Sequence, residues 1–472
     1  MAQIPPPPPP PPPPIDVDDL EEERPRPWLR VVALVLALVL LLSFGVDFML
    51  DNFASEQGGE DQSGAGKANA PHDRCLAENV PLFPEPNSLE QQIERTKKQV
   101  EALRALEFEG EVDARVVTSA QLGRRVTRSL SAYSDRRAER DQRILATLGI
   151  VNENIDLREV VEDTLRGQVA GLYLPKSKRL LVASEQGSKP LSPGNATVLA
   201  HEIQHALADQ RFGFPTSEKI PRGKEDEVLA HRSLIEGDAT VTQRRFAQRA
   251  LTPEQQADIL QDPSVQESLR DYYALPPYFR KAFEFPYVAG ANFVEALCAE
   301  GGWELVNEAQ EDPPVTSAEI IYPERFLARE EPRDPPELGA PGRGWDEGYE
   351  VSFGAADLLL MFELPGGSEG RALDDPRDAA AAWAGGALTL WTRGQQNAIG
   401  IALAQQSTGD LCPSLAAWYL ASFPGSDTQS SGKGRFTFEG DGRSGAIRCQ
   451  GSEVKMAIAP DVGTARAVLG TS

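Results

Sequence analysis

Histidine is scarce in this chain: four occur in 472 residues, and three of them, His201, His205 and His231, fall between positions 201 and 231. Cysteine is as rare, and the spacing of Cys75, Cys298, Cys412 and Cys449 excludes a thiolate metal cluster. Cations are in deficit, since 47 Lys and Arg against 71 Asp and Glu leave a net charge of −24. Phosphate binding needs clustered positive charge, so nucleic acid is excluded as a partner. The acidic excess reads as a solubility feature. No internal repeat is found. Against these shortages, a hydrophobic fraction of 40% is ample for a buried core.

What is present begins with ten consecutive prolines, residues 5–14, followed by "IDVDDLEEE". Such a run forms a stiff polyproline II rod and no helix or sheet ladder, so residues 1–27 are expected to be a disordered cytoplasmic tail. From Val31 to Val46 there are sixteen residues without a charge. They span about 24 Å as a helix, and counting from Leu29 to Leu50 reaches about 33 Å, enough for a ~30 Å hydrocarbon core. Arg24, Arg26 and Arg30 precede this span, whereas Asp47, Asp51 and Glu56 follow it. The positive-inside rule then keeps the N-terminus in the cytoplasm and exports the rest. Residues 28–50 are therefore expected to be a single-pass signal anchor in the cell membrane. A cleaved signal peptide is the alternative, although thirty preceding residues are long for one. Residues 51–72, rich in Gly, Ser and acid, read as a flexible linker that includes an exposed His72.

All four cysteines lie beyond the apolar segment, which suits an exported domain with two disulfides. Cys412–Cys449 is the local pairing and leaves Cys75–Cys298. Spacing alone leaves all three connectivities open.

The stretch "LAHEIQHALADQRFG", residues 199–213, carries the chemistry. Asn195 is the expected N-cap of its helix, and Gly213 with Pro215 the stop. Leu199, Ile203 and Leu207 share one face. His201 and His205, four apart, stack on another and can chelate one ion. His-Glu-x-x-His on a helix is the pattern of a zinc site in which Glu202 acts as general base. A third protein ligand would leave one coordination position open. Glu236, Asp238 and His231 are the candidates, within a second helix expected from about Asp226 to Ala250. Glu236 and Asp238 are about 200° apart on a helix and cannot both face one ion. His231, a catalytic candidate, is placed to contact substrate or a developing oxyanion. The preceding "QVAGLYLPKSKRLLVASE" reads as a β-hairpin that can hold extended peptide by backbone pairing.

"HEIQH" followed by "EGDA" resembles the gluzincin branch of zincin metallopeptidases. More broadly, the chain is similar to a family of bacterial and archaeal metallopeptidases of undefined substrate. The shared segments run through residues of roughly 95–400 and include "FPYVAGANFVEALCAEGGW", "PPVTSAEIIYPERF" and "AAAAWAGG". The resemblance implies Zn²⁺ held by His201, His205 and Glu236, and hydrolysis of a peptide or protein substrate. Three departures bear on substrate choice and not on the metal motifs. Leu174 stands where the family favours Asp, Tyr322 stands where His is usual, and the paired glycines of "AWAGGAL" lack a following Asp.

The expected fold is α+β: a zincin-like core with a small sheet, an active-site helix and a mostly helical second half, preceded by one transmembrane helix. The metallopeptidase domain is expected over 73–345. A C-terminal helical portion with a terminal strand unit is expected over 346–472, after the loop "PRDPPELGAPGRG". The rival reading is a catalytically silent zinc-binding envelope scaffold, which has no need of a base at Glu202. The topology predicts that a reporter active only outside the cytosol, fused after Ser472, is active. External protease should remove most of the chain and spare the proline run; protection of the whole chain contradicts the export.

Overall fold

Beyond residue 88 the chain folds into mixed helix and sheet, consistent with an α+β class. The computed structural model of the protein describes residues 74–470, apart from 78, 131–134, 161–170, 185–186, 215–222, 263–265, 267–269, 271, 371, 408, 431, 433 and 441. The proline run, the apolar segment 28–50 and the linker with His72 lie outside the described residues. Among the described residues no helix is long and apolar enough to cross a membrane.

Helix α1 (Leu89–Arg104) starts at Ser88, whose hydroxyl accepts from the Gln91 N–H. Strand β1 (Asp113–Val117) and helices α2 (Ser119–Leu130) and α3 (Asp135–Thr147) follow. The expected hairpin is formed by β2 (Gly171–Leu174) and β3 (Arg179–Ala183), antiparallel to each other. Its turn is closed by Lys178 in the left-handed region at φ 51°. β1 pairs parallel to β3, so the sheet order is β1-β3-β2 and β2 is an edge strand.

Helix α4 (Pro193–Arg211) carries the histidine motif. Its N-cap is Ser192 and not Asn195: the Ser192 hydroxyl accepts from the Asn195 N–H, and Pro193 occupies the first turn. Proline fixes a helical φ, has no N–H to leave unsatisfied, and pushes the residue before it to extended backbone, which makes that residue the cap. Leu199, Ile203 and Leu207 pack together in one core cluster with α1 and the hairpin, and the other faces of α4 are buried as well, at residues 194 and 196–209. Helix α5 (Glu225–Ala250) opens with Glu225, Asp226 and Glu227, which complement the positive end of its dipole. Helix α6 (Pro253–Gln261) starts in a capping box between Thr252 and Gln255.

After Pro276 the chain forms helix α7 (Pro277–Glu311), with Pro286 inside and a break at Gly302 (φ 71°). Burial of Phe285, Tyr287, Ala291, Phe293 and Val294 outweighs the local cost of that proline. Helices α5 and α7 cross backbone to backbone. A Cβ on Gly237 would lie 2.2 Å from the carbonyl carbon of Gly290, and one on Gly290 would lie 2.0 Å from the Ser233 oxygen. The glycine of "LIEGDAT" is thus required by close helix approach.

Two short helices, α8 (Ser317–Ile321) and α9 (Pro323–Leu327), precede the stretch 332–344, which carries no helix or strand. The portion after 346 is not mostly helical. It is built on a seven-stranded antiparallel sheet of order β4-β5-β6-β10-β9-β8-β7. Its strands are β4 (Tyr349–Ser352), β5 (Trp383–Arg393), β6 (Gln396–Gln405), β7 (Asp427–Ser430), β8 (Arg435–Gly440), β9 (Arg443–Gln450) and β10 (Glu453–Ala459). Helices α10 (Ala355–Glu363), α11 (Pro376–Ala380), α12 (Leu411–Ser422) and α13 (Val462–Val468) accompany it. The reason is burial on both faces. Ile399, Ile401 and Leu403 of β6 face the large core, while Ala398 packs in a second cluster with Val468 and Leu469. Apolar residues on both sides erase the period-2 signal, and such a run resembles a buried helix in sequence. The large core joins Phe293 and Leu297 of α7 to Leu388 and Ile401 of the sheet, so it continues across residue 345.

Both disulfides form, Cys75–Cys298 and Cys412–Cys449, with Cα separations of 5.3 and 6.1 Å. The first ties residue 75 to α7.

The α5–α7 crossing yields a direct test. Gly237→Ala should lower unfolding free energy by about 1–3 kcal/mol or more, as overpacking does. Thermal unfolding that matches wild type would contradict the backbone contact.

Candidate metal centre

His201 and His205 stand one turn apart on α4, both buried, with ring centroids 4.6 Å apart and nearly perpendicular planes. Opposite them, α5 presents Glu236, which is 1% exposed. A single carboxylate oxygen, Oε2, lies 3.3 Å from Nε2 of His201 and 3.3 Å from Nε2 of His205. One ligand atom from each of the three residues falls within 4.8 Å of the others, so this buried group can hold a metal ion. The donor set fits the chemistry of a borderline divalent cation: two imidazole nitrogens and one carboxylate oxygen.

Neighbouring side chains orient the ligands. Nδ1 of His201 is 3.2 Å from Oε1 of Gln243, two turns along α5 from Glu236. With a metal bound, donation of the Nδ1 proton to that oxygen would leave the Nε2 lone pair for the ion; without one, Nε2 carries the proton shared with Glu236. Burial, aided by the charge of His205, pushes the His201 pKa down to about 4, which keeps the ring neutral at pH 7. Burial disfavours the Glu236 carboxylate, but its hydrogen bonds to His201 and His205 outweigh that and hold its pKa well below the usual range. For His205 burial acts downward, and the Glu236 contact reverses it, so its pKa is raised.

Glu202 lies on the same helix, 1% exposed. Its Oε2 accepts from the backbone N–H of Tyr173 on β2 at 2.7 Å, while Oε1 is buried without a hydrogen-bond partner. Burial, with the Glu236 charge adding to it, raises the Glu202 pKa to about 7 against the opposing pull of His205 and the Tyr173 N–H. The edge strand lies close here, since a Cβ on Gly171 would sit 3.1 Å from Cγ of Glu202. Asp209 fixes the hairpin to α4. Its Oδ2 accepts from the Tyr173 hydroxyl at 2.8 Å and pairs with Lys178 at 2.7 Å, and its Oδ1 accepts from the Phe214 N–H at 2.8 Å.

The remaining sequence candidates stand apart from the three ligands. Asp238 is engaged elsewhere: Arg104 Nε donates to its two oxygens at 2.8 and 3.1 Å, and Gln310 donates to Oδ2 at 3.0 Å. The Arg104 guanidinium also lies 4.1 Å from the Trp303 ring centroid. This buried pair ties α1, α5 and α7 together. His231 is half-buried, its Nδ1 lacks a hydrogen-bond partner, and burial lowers its pKa. It does not belong to the converging group.

Three residues around the centre were not found from sequence. Arg232, four before Glu236, brings Nε to 3.9 Å from Glu236 Oε1. Tyr287 of α7 is fully buried, its ring 6.3 Å from that of His201. Burial and the Glu236 charge raise its phenol pKa well above the ordinary value, against the opposing effect of Arg232. Gln243 is the third. Helical spacing from Glu236 could have flagged Arg232 and Gln243; nothing local points to Tyr287. Comparison with protein-family models, curated proteins and solved structures returned no match.

Metal analysis of the full chain should find one ion per chain, lost in His201→Ala and sharply weakened in Glu236→Ala. His231→Ala should retain it. Asp238→Asn should also retain metal yet lose about 3–5 kcal/mol of stability, because the Arg104 charge is left buried and unpaired. Undiminished metal in His201→Ala would refute the centre.

Proposed function

We propose that the protein is a zinc metallopeptidase of gluzincin type, with Zn²⁺ held by His201, His205 and Glu236. The observation that carries this reading is the convergence of two imidazole Nε2 atoms on one Glu236 oxygen, beside a buried Glu202 with one oxygen unengaged. A site that served only structure has no use for that second carboxylate. When bound, zinc supplies Lewis acidity, which acidifies water and polarises a carbonyl.

Glu202 is the general base. Its Oε2 stays anchored on the Tyr173 N–H while Oε1 takes a proton from the attacking water. The same oxygen then delivers that proton to the leaving amine nitrogen. A carboxyl whose pKa is lifted toward neutrality by burial is suited to both transfers. Strand β2, at the edge of its sheet and in contact with Glu202, offers backbone groups for an extended peptide. Anchoring through residues 28–50 and work outside the cytoplasm follow from the charge asymmetry of that segment, and two disulfides agree with an oxidising compartment.

Glu202→Gln tests the reading. Zinc should remain at one ion per chain while turnover falls by about 10²–10⁴, the usual worth of a positioned general base. The readout is the set of new protein N-termini in envelope fractions from cells carrying either form. Identical sets, with zinc retained in both, would favour the scaffold.

A further inference from the structure

Unsatisfied polar atoms gather around the candidate metal centre. Nε and Nη2 of Arg232 and Oε1 of Glu202 are buried without a hydrogen-bond partner, and the Tyr287 hydroxyl lies against the Arg232 side chain. Buried polar groups in folded proteins are nearly always paired, and each one left unmade costs free energy. Two donor groups and one acceptor left over beside the same three ligands mark a place shaped for a ligand that completes them.

The donors and the acceptor do not come from the same side. Glu202 belongs to α4 and is anchored by β2, whereas Arg232 lies one turn before Glu236 on α5 and beside Tyr287 of α7. The Arg232 side chain is 14% exposed, so most of it is withdrawn from water. At 3.9 Å from Glu236 Oε1 its Nε is too distant for a hydrogen bond. A guanidinium held there keeps its planar fork of N–H groups for something else, and that geometry matches an oxyanion.

We propose that Arg232 is the anion-binding catalytic residue of this site, donating from its free N–H groups to the negative charge that develops on the scissile carbonyl oxygen. The proposal rests on the metallopeptidase reading and assigns to Arg232 the oxyanion role for which His231 was the sequence candidate. Helical spacing supports the exchange: residue 232 shares the Glu236 face of α5, and residue 231 is about 140° round from it.

Methylphosphonate, a small tetrahedral anion, is the probe. Titrated calorimetrically into the zinc-loaded full chain, it should bind wild type, and Arg232→Gln should weaken it about 10- to 100-fold, the worth of hydrogen bonds to a charged group. Zinc content should stay at one ion per chain, and His231→Ala should bind the probe as wild type does. Arg232→Met, which keeps the apolar stem, supplies the same readout if the amide variant does not accumulate. Equal affinity in wild type and the Arg232 variants, or no binding by a zinc-loaded wild type, overturns the proposal and leaves the metal site standing. Acetylglycine, a carboxylate titrated in parallel, supplies the control: loss confined to it, with methylphosphonate binding intact, also overturns the proposal, because Arg232 would then receive a substrate carboxylate. A chain that holds no zinc at all removes the metallopeptidase reading and this proposal together.

Discussion

A carboxylate buried between two histidines is the constraint around which the first half of the chain is arranged. Glu236 has been taken out of water, where an isolated charge would be prohibitively costly, and only its contacts with His201 and His205 keep it ionised. Those contacts require α4 and α5 to lie at one fixed separation. Backbone contact between Gly237 and Gly290 sets α5 against α7, and the Arg104–Asp238 pair clamps the same helix to α1. The centre is therefore held by helix packing on three sides and not by loops.

Charge is partitioned along α5 with the same economy. Glu236 faces the histidines, Asp238 faces Arg104, and Arg232 leans toward the carboxylate one turn on. Further toward the start of the helix, Asp226 accepts from the backbone N–H of Ser317 and so caps α8, where the helical half meets the sheet. Burial, together with the neighbouring Asp357 and Glu319 charges, raises the Asp226 pKa to about 7 despite the Ser317 hydrogen bond. A carboxyl with a folded pKa above its unfolded value contributes stability that is lost as pH rises through the window from about 4 to 7. The junction should tighten in mild acid.

Much of the site was legible because its signals are local. His201 and His205 are paired by helical periodicity alone, and the first turns of α5 and α6 carry the local signals of helix starts, three acidic residues and Thr252 before Pro253. The hairpin was legible from two β-rich runs around "PKSK". The choice among Glu236, Asp238 and His231 was not settled by periodicity, which said only that the two carboxylates diverge. What assigned Asp238 elsewhere is Arg104, 134 positions away.

The sequence by itself determined the metal-binding helix, the hairpin before it and an even set of cysteines available to pair. Each depends on residues close together in the chain, where spacing and turn chemistry act without help from the rest of the fold. Only the tertiary structure decided that "FEFPYVAGANF" is helix and that the last third is a seven-stranded sheet. It also placed Tyr287 and Arg232 beside the ligands. In those segments the deciding energy is burial against distant partners. A proline inside α7 is tolerated because its neighbours pack on α5, and β6 loses its alternation because apolar layers cover both of its faces.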